Sequence, residues 1–504
     1  MTATMLPLFV GLPLLAAGIT APARACAPWA RAVLIALLIA NLAAGIALVA
    51  TTSSGAVLAE QVGGWPGGIA IPFVGDTLSA LMLTVTGLLA LVCAVFGLMT
   101  GTGEARLYPP LVMALVGGVN GALLTADIFN LFVFIEVMLL PSYGLLVLAR
   151  SGQGTLRSVT GARLYVAFNL FVSTLFLAGV AMVYGTAGTV NLAELAGAAQ
   201  QSPTVAVAAG ICIAALSMKA AVVPVHGWLA QAYPSTSPTI SALFSGLHTK
   251  VAIYAIYRIY AVVFDGDTRW LWIGVVLFSA TMLIGVLGAV GESTMRSILA
   301  FHMVSQIGYI LLGVALFTPL GLAAGIFYLL HHMIVKASLF LSCGAVEERH
   351  GTDALARIRG VARRDPLLVA AFGMAALSLA GLPPFSGFVA KLTLILAALD
   401  AGQIAAAVVA IVVSLLTLLS MIKIWNVLVK RPDEDDTATG STGDTLVAAP
   451  PVPRVGLRLT LPGLVLAMVT LGLGLGAELL YGLSATAAAG LLDTSSYVEA
   501  VLPR

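Results

Sequence analysis

Five of the six lysines in this chain fall inside or at the edge of long apolar runs: Lys219, Lys250, Lys336, Lys391 and Lys423. Arginine supplies nearly all the basic charge of the polar loops, so the placement of lysine carries information. Arginine stays charged at any physiological pH, whereas a buried lysine can release its proton within that range. A charge at the bilayer centre costs about 2.5–3.5 kcal/mol on insertion scales, and four or five together cost on the order of 10–15 kcal/mol. That is too much for incidental packing residues. Lys423 lies near a helix end, in KIWNVLVKRP, and reads as a side chain whose head snorkels to the interface. Lys219, Lys250, Lys336 and Lys391 read as proton carriers.

Other groups fit the same chemistry. Glu136 stands in the middle of IFNLFVFIEVMLLPSYGLLVLA, where a lone carboxylate must be neutralised by a proton or a cation. His332 and Lys336, in HHMIVKASLF, are four apart and share a helix face. Histidine titrates near neutral pH and can pass protons either way. His331 points away from that face, and His248 lies roughly opposite Lys250. Neither these two nor His302 receives a role from the sequence. Asp127 reads as a helix cap or an interfacial residue. Two prolines break helices beside lysines. Pro224, in ALSMKAAVVPVHGW, frees the carbonyl of Ala220 next to Lys219, and the pair Pro383-Pro384, in LSLAGLPPFSGFVAKLTL, frees Leu379 and Ala380 ahead of Lys391. Freed carbonyls and half-helix ends can hold an ammonium and admit water. Paired broken helices in two halves of a bundle mark inverted-repeat transporters.

The elements that must position these groups are membrane helices. The chain has 504 residues, 60% hydrophobic and only 9% charged. Apolar runs recur near 5–20, 29–50, 76–100, 108–126, 128–149, 163–184, 203–224, 238–262, 269–291, 296–317, 320–345, 366–399, 403–429 and 459–482. Nearly all approach the length that crosses ~30 Å of hydrocarbon. The expected fold is therefore all-α and polytopic, with about fourteen transmembrane helices. Residues 51–75, with GGWPGGIAIP, form an extracytoplasmic hairpin-like loop. With the N-terminus outside, one set of loops holds sixteen Lys and Arg residues, against Arg269 and Arg504 in the other. Basic loops stay in the cytoplasm, so both termini are expected outside a bacterial plasma membrane. The stretch 430–458, acidic and then Pro-rich, reads as a flexible cytoplasmic linker before a detached last helix and tail, 459–504.

The remaining signals exclude other classes. Arg24 precedes Cys26, but no earlier basic residue forms the n-region of a signal peptide, so the first run reads as a retained helix. The four cysteines show no CxxC spacing and read as small buried residues. There is no phosphate loop, dinucleotide fingerprint or iron–sulfur ligand set, so neither cofactor nor metal is expected. Nor do the scattered basic residues form a nucleic-acid patch. Energy must come from an ion gradient or another subunit.

Certain segments resemble a known family. DIFNLFVFIEVMLLPSYGLL, KAAVVPVHGWLAQAYPSTSPTISALFSGLHTKVAIYAIYR and GLPPFSGFVAKL are similar to the antiporter-like membrane subunits shared by complex I and the Mrp-type cation/proton antiporters, over about residues 60–430. The wording around AYP, SPTISALF and GFVAKL looks most like the D-type subunits of the Mrp group. The resemblance implies fourteen helices, with helices 7 and 12 broken, and two inverted five-helix repeats at 108–262 and 269–429 that follow three helices in 1–107. It implies that Glu136 and Lys219 are a carboxylate–lysine pair, that Lys250 is the central relay, that His332 and Lys336 continue it, and that Lys391 ends it. Ala230 replaces the family's usual proline after Trp-Leu. The implied function is a proton-translocating subunit of a Na⁺/proton antiporter, with other membrane subunits as partners and Na⁺ and protons as cargo. The alternative is a proton-pumping membrane subunit of complex I or of a membrane-bound hydrogenase.

Overall fold

The computed structural model describes residues 1–65, 70–148, 159–430 and 454–502. Backbone in hydrocarbon must satisfy its own hydrogen bonds, and the apolar runs do so as helices. Helices α1 (Leu8–Thr20) and α2 (Pro28–Thr52) lead to a hairpin in which β1 (Leu58–Gln61) pairs antiparallel with β2 (Pro72–Gly75), Leu58 opposite Gly75. Asp76 then starts α3 (Thr77–Met99) with a capping box, its carboxylate taking the Ser79 N–H while the Ser79 hydroxyl takes the Asp76 N–H. Helix α4 (Tyr108–Leu124) returns to the hairpin, and α5 (Ile128–Val147) leaves it under a second cap, Asp127 accepting from the Asn130 N–H at 2.6 Å.

Next come α6 (Val159–Ala187), the single turn α7 (Ala198–Gln201) and α8 (Pro203–Lys219). Helix α8 ends at a break in which Ala221 adopts a φ of 64° and Pro224 follows a cis bond. Beyond it lie α9 (Gly227–Ala232) and α10 (Pro238–Val263). The second half continues with α11 (Leu271–Gly291), α12 (Met295–Leu316), α13 (Pro319–His350), the short α14 (Val361–Arg364) and α15 (Pro366–Ala380). A second break at Gly381–Phe385 precedes α16 (Ser386–Asp400) and α17 (Ile404–Val429), and the chain ends in α18 (Leu457–Leu475), α19 (Ala477–Leu492) and α20 (Ser495–Val501). Among the described residues, eleven helical segments are long and apolar enough to cross a membrane, and α4, α8, α15 and α19 are shorter apolar helices.

Burial sorts these helices into a centre and a rim. Every residue of α10 is buried, and nearly all of α12 and α13, whereas α2, α11 and α17 keep large apolar side chains such as Ile46, Val276 and Leu415 exposed. An exposed leucine is at home against lipid, and it is the centre that carries the polar residues. Small residues bring the central backbones close. A Cβ added to Gly313 of α12 would lie 2.7 Å from the Cα of Gly325 in α13, and one added to Gly308 would lie 2.7 Å from the Met282 nitrogen of α11.

Several expectations are revised. The last apolar segment is not detached: α18 packs on α13, α15 and α16, with the Ser338 hydroxyl of α13 donating to the Gly463 carbonyl at 2.8 Å. Helix continues past residue 482 because AELLYGLSATAAAGLL is rich in alanine and leucine, strong helix formers. Cys26 is exposed, unlike the buried Cys93, Cys212 and Cys343. Two arginines are buried rather than solvated. Arg296 is paired with Glu347 at 2.9 Å and Arg258, inside α10, with Asp76 at 2.5 Å. Most of the 430–458 linker, together with Arg150, Arg157 and Arg504, lies outside the described residues.

Candidate functional site

The four lysines singled out by the sequence end α8, centre α10 and α13, and follow the second break on α16, and each is at most 3% exposed. Lys423 differs: its ammonium donates to the Val290 and Glu292 carbonyls at 2.7 and 2.8 Å, neutralising the free end of α11.

At the first lysine, the Lys219 ammonium donates to the Asn169 side-chain oxygen, on α6, at 3.1 Å. Glu136 and Lys219 form no direct ion pair among the described residues. Glu136 lies within electrostatic reach of Lys219 and Tyr143, and its buried Oε1 has no hydrogen-bond partner. The ammonium thus takes a neutral amide oxygen from α6, which packs against α8, rather than a direct contact with Glu136. The break beside Lys219 stays ordered without the family's proline at position 230, since the Trp228 indole donates to the Met218 carbonyl at 3.1 Å.

The next step is one the sequence left open. His248 lies within electrostatic reach of Lys219, and its Nδ1 shares a 2.7 Å hydrogen bond with the Tyr165 hydroxyl. The imidazole stacks on Phe244 with ring centres 4.2 Å apart. Two residues along a helix is about 200° of rotation, so Lys250 emerges on the other side of α10. There it lies within electrostatic reach of His332 and Lys336 on α13. The near-opposite placement that withheld a role from His248 is what makes α10 a bridge: one face meets the first half of the bundle and the other meets the second.

On α13, His332 and Lys336 occupy one stripe, as their spacing requires. Lys336 donates to the Leu299 carbonyl of α12 at 3.0 Å, and both ring nitrogens of His332 lack a hydrogen-bond partner. His302 of α12 feels both Lys336 and Lys391, and its Nε2 shares a 2.6 Å hydrogen bond with the Ser420 hydroxyl. His331 turns toward α16, its Nδ1 2.8 Å from the Ser386 hydroxyl and its ring within reach of Lys391. Lys391 donates to the Ala380 carbonyl at 3.0 Å and to the Ser414 hydroxyl at 3.2 Å, with its ammonium 5.2 Å from the Tyr309 ring centre. The Ala380 oxygen is one of the two carbonyls that Pro383-Pro384 frees. Gly381 makes room for this: its φ is +87°, and a Cβ there would meet Lys391 Cδ at 2.6 Å.

The structure therefore draws Glu136, Lys219, Lys250, His332, Lys336 and Lys391 into one buried polar band through the middle of the bundle. It adds Asn169, His248, His302 and His331, which no spacing rule picked out because their partners come from other helices. Lysines and neutral imidazoles at such separations can hand on protons, with hydroxyls and water between them. The band offers little to a metal: among the described residues no three His, Cys, Asp or Glu side chains gather to hold one.

Comparison with known proteins identifies the family of the chain. Residues 125–417 match the family model described as NADH:quinone oxidoreductase/Mrp antiporter, TM. The chain is 38% identical over 453 residues to the D component of the Na(+)/H(+) antiporter of Alkalihalophilus pseudofirmus, covering 88% of each chain. It is 56% identical to a chain in the structure of the Mrp complex from Dietzia sp. DQ12-45-1b, covering 100% of both with a TM-score of 0.95. A chain of the archaeal membrane-bound sulfane sulfur reductase has the same fold at 24% identity, with a TM-score of 0.86 over 99% of each. By sequence and by fold, the chain belongs to the NADH:quinone oxidoreductase/Mrp antiporter transmembrane family.

Proposed function

We propose that this chain is the proton-translocating, D-type subunit of a multisubunit Na⁺/H⁺ antiporter in the bacterial plasma membrane. The observation that carries the reading is the buried band itself: four lysines on four different helices, each nearly inaccessible, with histidines lying between them. Structural packing has no use for so many desolvated ammonium groups, whereas proton transfer needs groups that can hold and release a charge.

In this reading fourteen crossings are made by α1 to α6, α8 with α9, α10 to α13, α15 with α16, α17, and α18 with α19. The inverted repeats are 108–262 and 269–429, with the broken helices α8/α9 and α15/α16 at corresponding places. Both termini lie outside with the hairpin, and the basic loops face the cytoplasm. Glu136 and Lys219 act as a switchable pair, with Asn169 holding the ammonium while the carboxylate is turned away. Movement of a proton or cation near Glu136 changes the field at Lys219, and the change passes through His248 to Lys250, His332, Lys336, His302 and Lys391. Partner subunits supply much of the sodium route. The likeness to redox-complex chains is one of fold, at much lower identity, and ranks the alternative of a respiratory pump behind the antiporter.

The test is sodium-dependent pH change in inside-out vesicles holding the whole complex. Exchange that survives intact in a Lys250→Ala complex of normal assembly overturns the reading.

A further inference from the structure

The relay leaves open how protons reach the hairpin-side water. Along α10, Tyr254 and Arg258 follow Lys250 at four and eight residues, and so stay close to its face of the helix. Arg258 is 2% exposed, yet its Nη2 meets Asp76 Oδ2 at 2.5 Å, at the junction of the hairpin and α3. Tyr254 and Tyr497, the latter from α20, place ring centres 5.5 and 4.8 Å from the guanidinium carbon. The α20 helix is itself tied down, Gln61 of β1 donating to the Val501 carbonyl at 2.7 Å. Asp76 Oδ1 accepts from the Ser79 N–H at 2.9 Å and from the Ser79 hydroxyl at 2.7 Å. The Tyr254 hydroxyl donates to the Leu123 carbonyl at 2.7 Å and accepts from Arg258 Nη2 at 3.4 Å, and it lies within electrostatic reach of Ser79.

A helix cap does not account for this cluster. The Asp76–Ser79 box is complete without Arg258, and burying a guanidinium is costly unless its charge is used. Arg258 also keeps two donors, Nε and Nη1, buried without a hydrogen-bond partner. Of the four interacting groups, Ser79, Tyr254 and Arg258 are buried, while the Asp76 side chain is 13% exposed and so touches both the interior and the surface. A group that passes protons between wire and water needs that position.

Given the reading of this chain as a proton carrier, we propose that Asp76 is a hairpin-side proton outlet, fed from Lys250 through the hydroxyls of Tyr254 and Ser79, with Arg258 as its fixed counter-charge. A proton leaves the Lys250 ammonium for water bridging toward Tyr254, one helical turn further along α10. Tyr254 oxygen accepts it and gives its own hydroxyl proton to Ser79, which gives its own to Asp76 Oδ1. Asp76 releases that proton to the surface, and both hydroxyls rotate back. The ionisable groups facing Asp76 are Arg258 and Tyr254 from α10 and Tyr497 from α20.

The experiment is sodium-driven pH change across a range of pH in inside-out vesicles carrying the intact complex. Asp76→Asn keeps a capping oxygen for Ser79 while removing both the proton-carrying carboxylate and the charge paired with Arg258. It is expected to assemble, to lower exchange at least about tenfold, as for loss of a proton-transfer group, and to displace the pH profile. Asp76→Glu should recover most of the rate, and Tyr254→Phe should lower it. Wild-type rate and pH profile in Asp76→Asn and Tyr254→Phe would reduce the cluster to a cap and overturn the outlet. If Asp76→Asn does not assemble, Tyr254→Phe, which loses one hydroxyl, decides in the same terms. A Lys391→Ala arm separates the two ideas: exchange unaffected there counts against the proton-carrier reading, whereas loss there with unaffected Asp76 and Tyr254 variants sinks the outlet alone.

Discussion

The Lys391 ammonium donates to the Ala380 carbonyl at 3.0 Å, across a break opened by the prolines that follow Ala380. An α-helix normally spends that carbonyl on the N–H four residues ahead, and Pro384 has none to give. The oxygen is left for a charge. The Ser414 hydroxyl donates to the same oxygen at 2.8 Å and lies 3.2 Å from the ammonium, closing a three-membered cluster. Lys391 is therefore held at the edge of a helix gap.

If Lys391 ends the relay toward one membrane face, Lys391→Ala abolishes exchange while the complex still assembles. Lys391→Arg fails as well, because arginine keeps the charge but does not release the proton. Sodium-dependent pH change in vesicles, normalised to assembled complex, measures both. Full activity in the arginine variant would mean that fixed charge is all the position needs.

Gly381 gives a backbone test of the same site. Its φ of +87° lies where an L-residue pays about 1–2 kcal/mol, and the Lys391 stem occupies the space a Cβ would take. Gly381→Ala is expected to lower both complex yield on detergent extraction and exchange. Gly402, also at positive φ with open space around it, provides the control: Gly402→Ala should lower stability by a similar backbone amount and leave exchange per complex unchanged. Equal transport per complex in the two variants would remove the special role of the Lys391 contact.

How much of this was legible in the sequence depends on whether a residue's partner lies on its own helix. His332 and Lys336 are joined by a four-residue spacing, and the freed Ala380 carbonyl follows from Pro384, so both could be read directly. His302 could not, since its meaning comes from Ser420, 118 residues away, and from lysines on two other helices. Arg258 escaped notice for a related reason. Its partner Asp76 stands 182 residues away, at the hairpin junction. Asn169 was hidden for the same reason, since it sits on α6 and gains its meaning only from the Lys219 ammonium that it accepts from across the helix packing.

Na⁺ prefers several oxygen ligands, and within the buried band Glu136 is the single carboxylate, among ammonium groups and imidazoles. The proton band is thus expected to exclude a dehydrated Na⁺, and the chain alone should show no high-affinity sodium site. Sodium titration of the purified chain in nanodiscs, followed by ²³Na relaxation, checks this. A bound Na⁺ displaced by Glu136→Gln would place the cation route here and remove the division of labour between subunits.

Coupling between Glu136 and Lys219 is the sharpest test of the switch. The two groups are within electrostatic reach without touching, and Asn169 holds the ammonium meanwhile. Removing one partner leaves the other charge buried and uncompensated, a loss of about 3–5 kcal/mol when a tight buried pair is broken and less here because the contact is indirect. Glu136→Gln and Lys219→Met should each abolish exchange, and Glu136→Gln should also lower complex stability, since it strands the ammonium on a neutral amide. The double variant should recover stability without recovering transport. Asn169→Leu should also lower stability, because it removes the oxygen to which Lys219 donates. A double-mutant cycle scored for both thermal stability of the complex and vesicle antiport provides the measurement. Strictly additive stability losses would show that Glu136 and Lys219 act independently, and the switch would have to be abandoned in favour of a relay that begins at Lys219 alone.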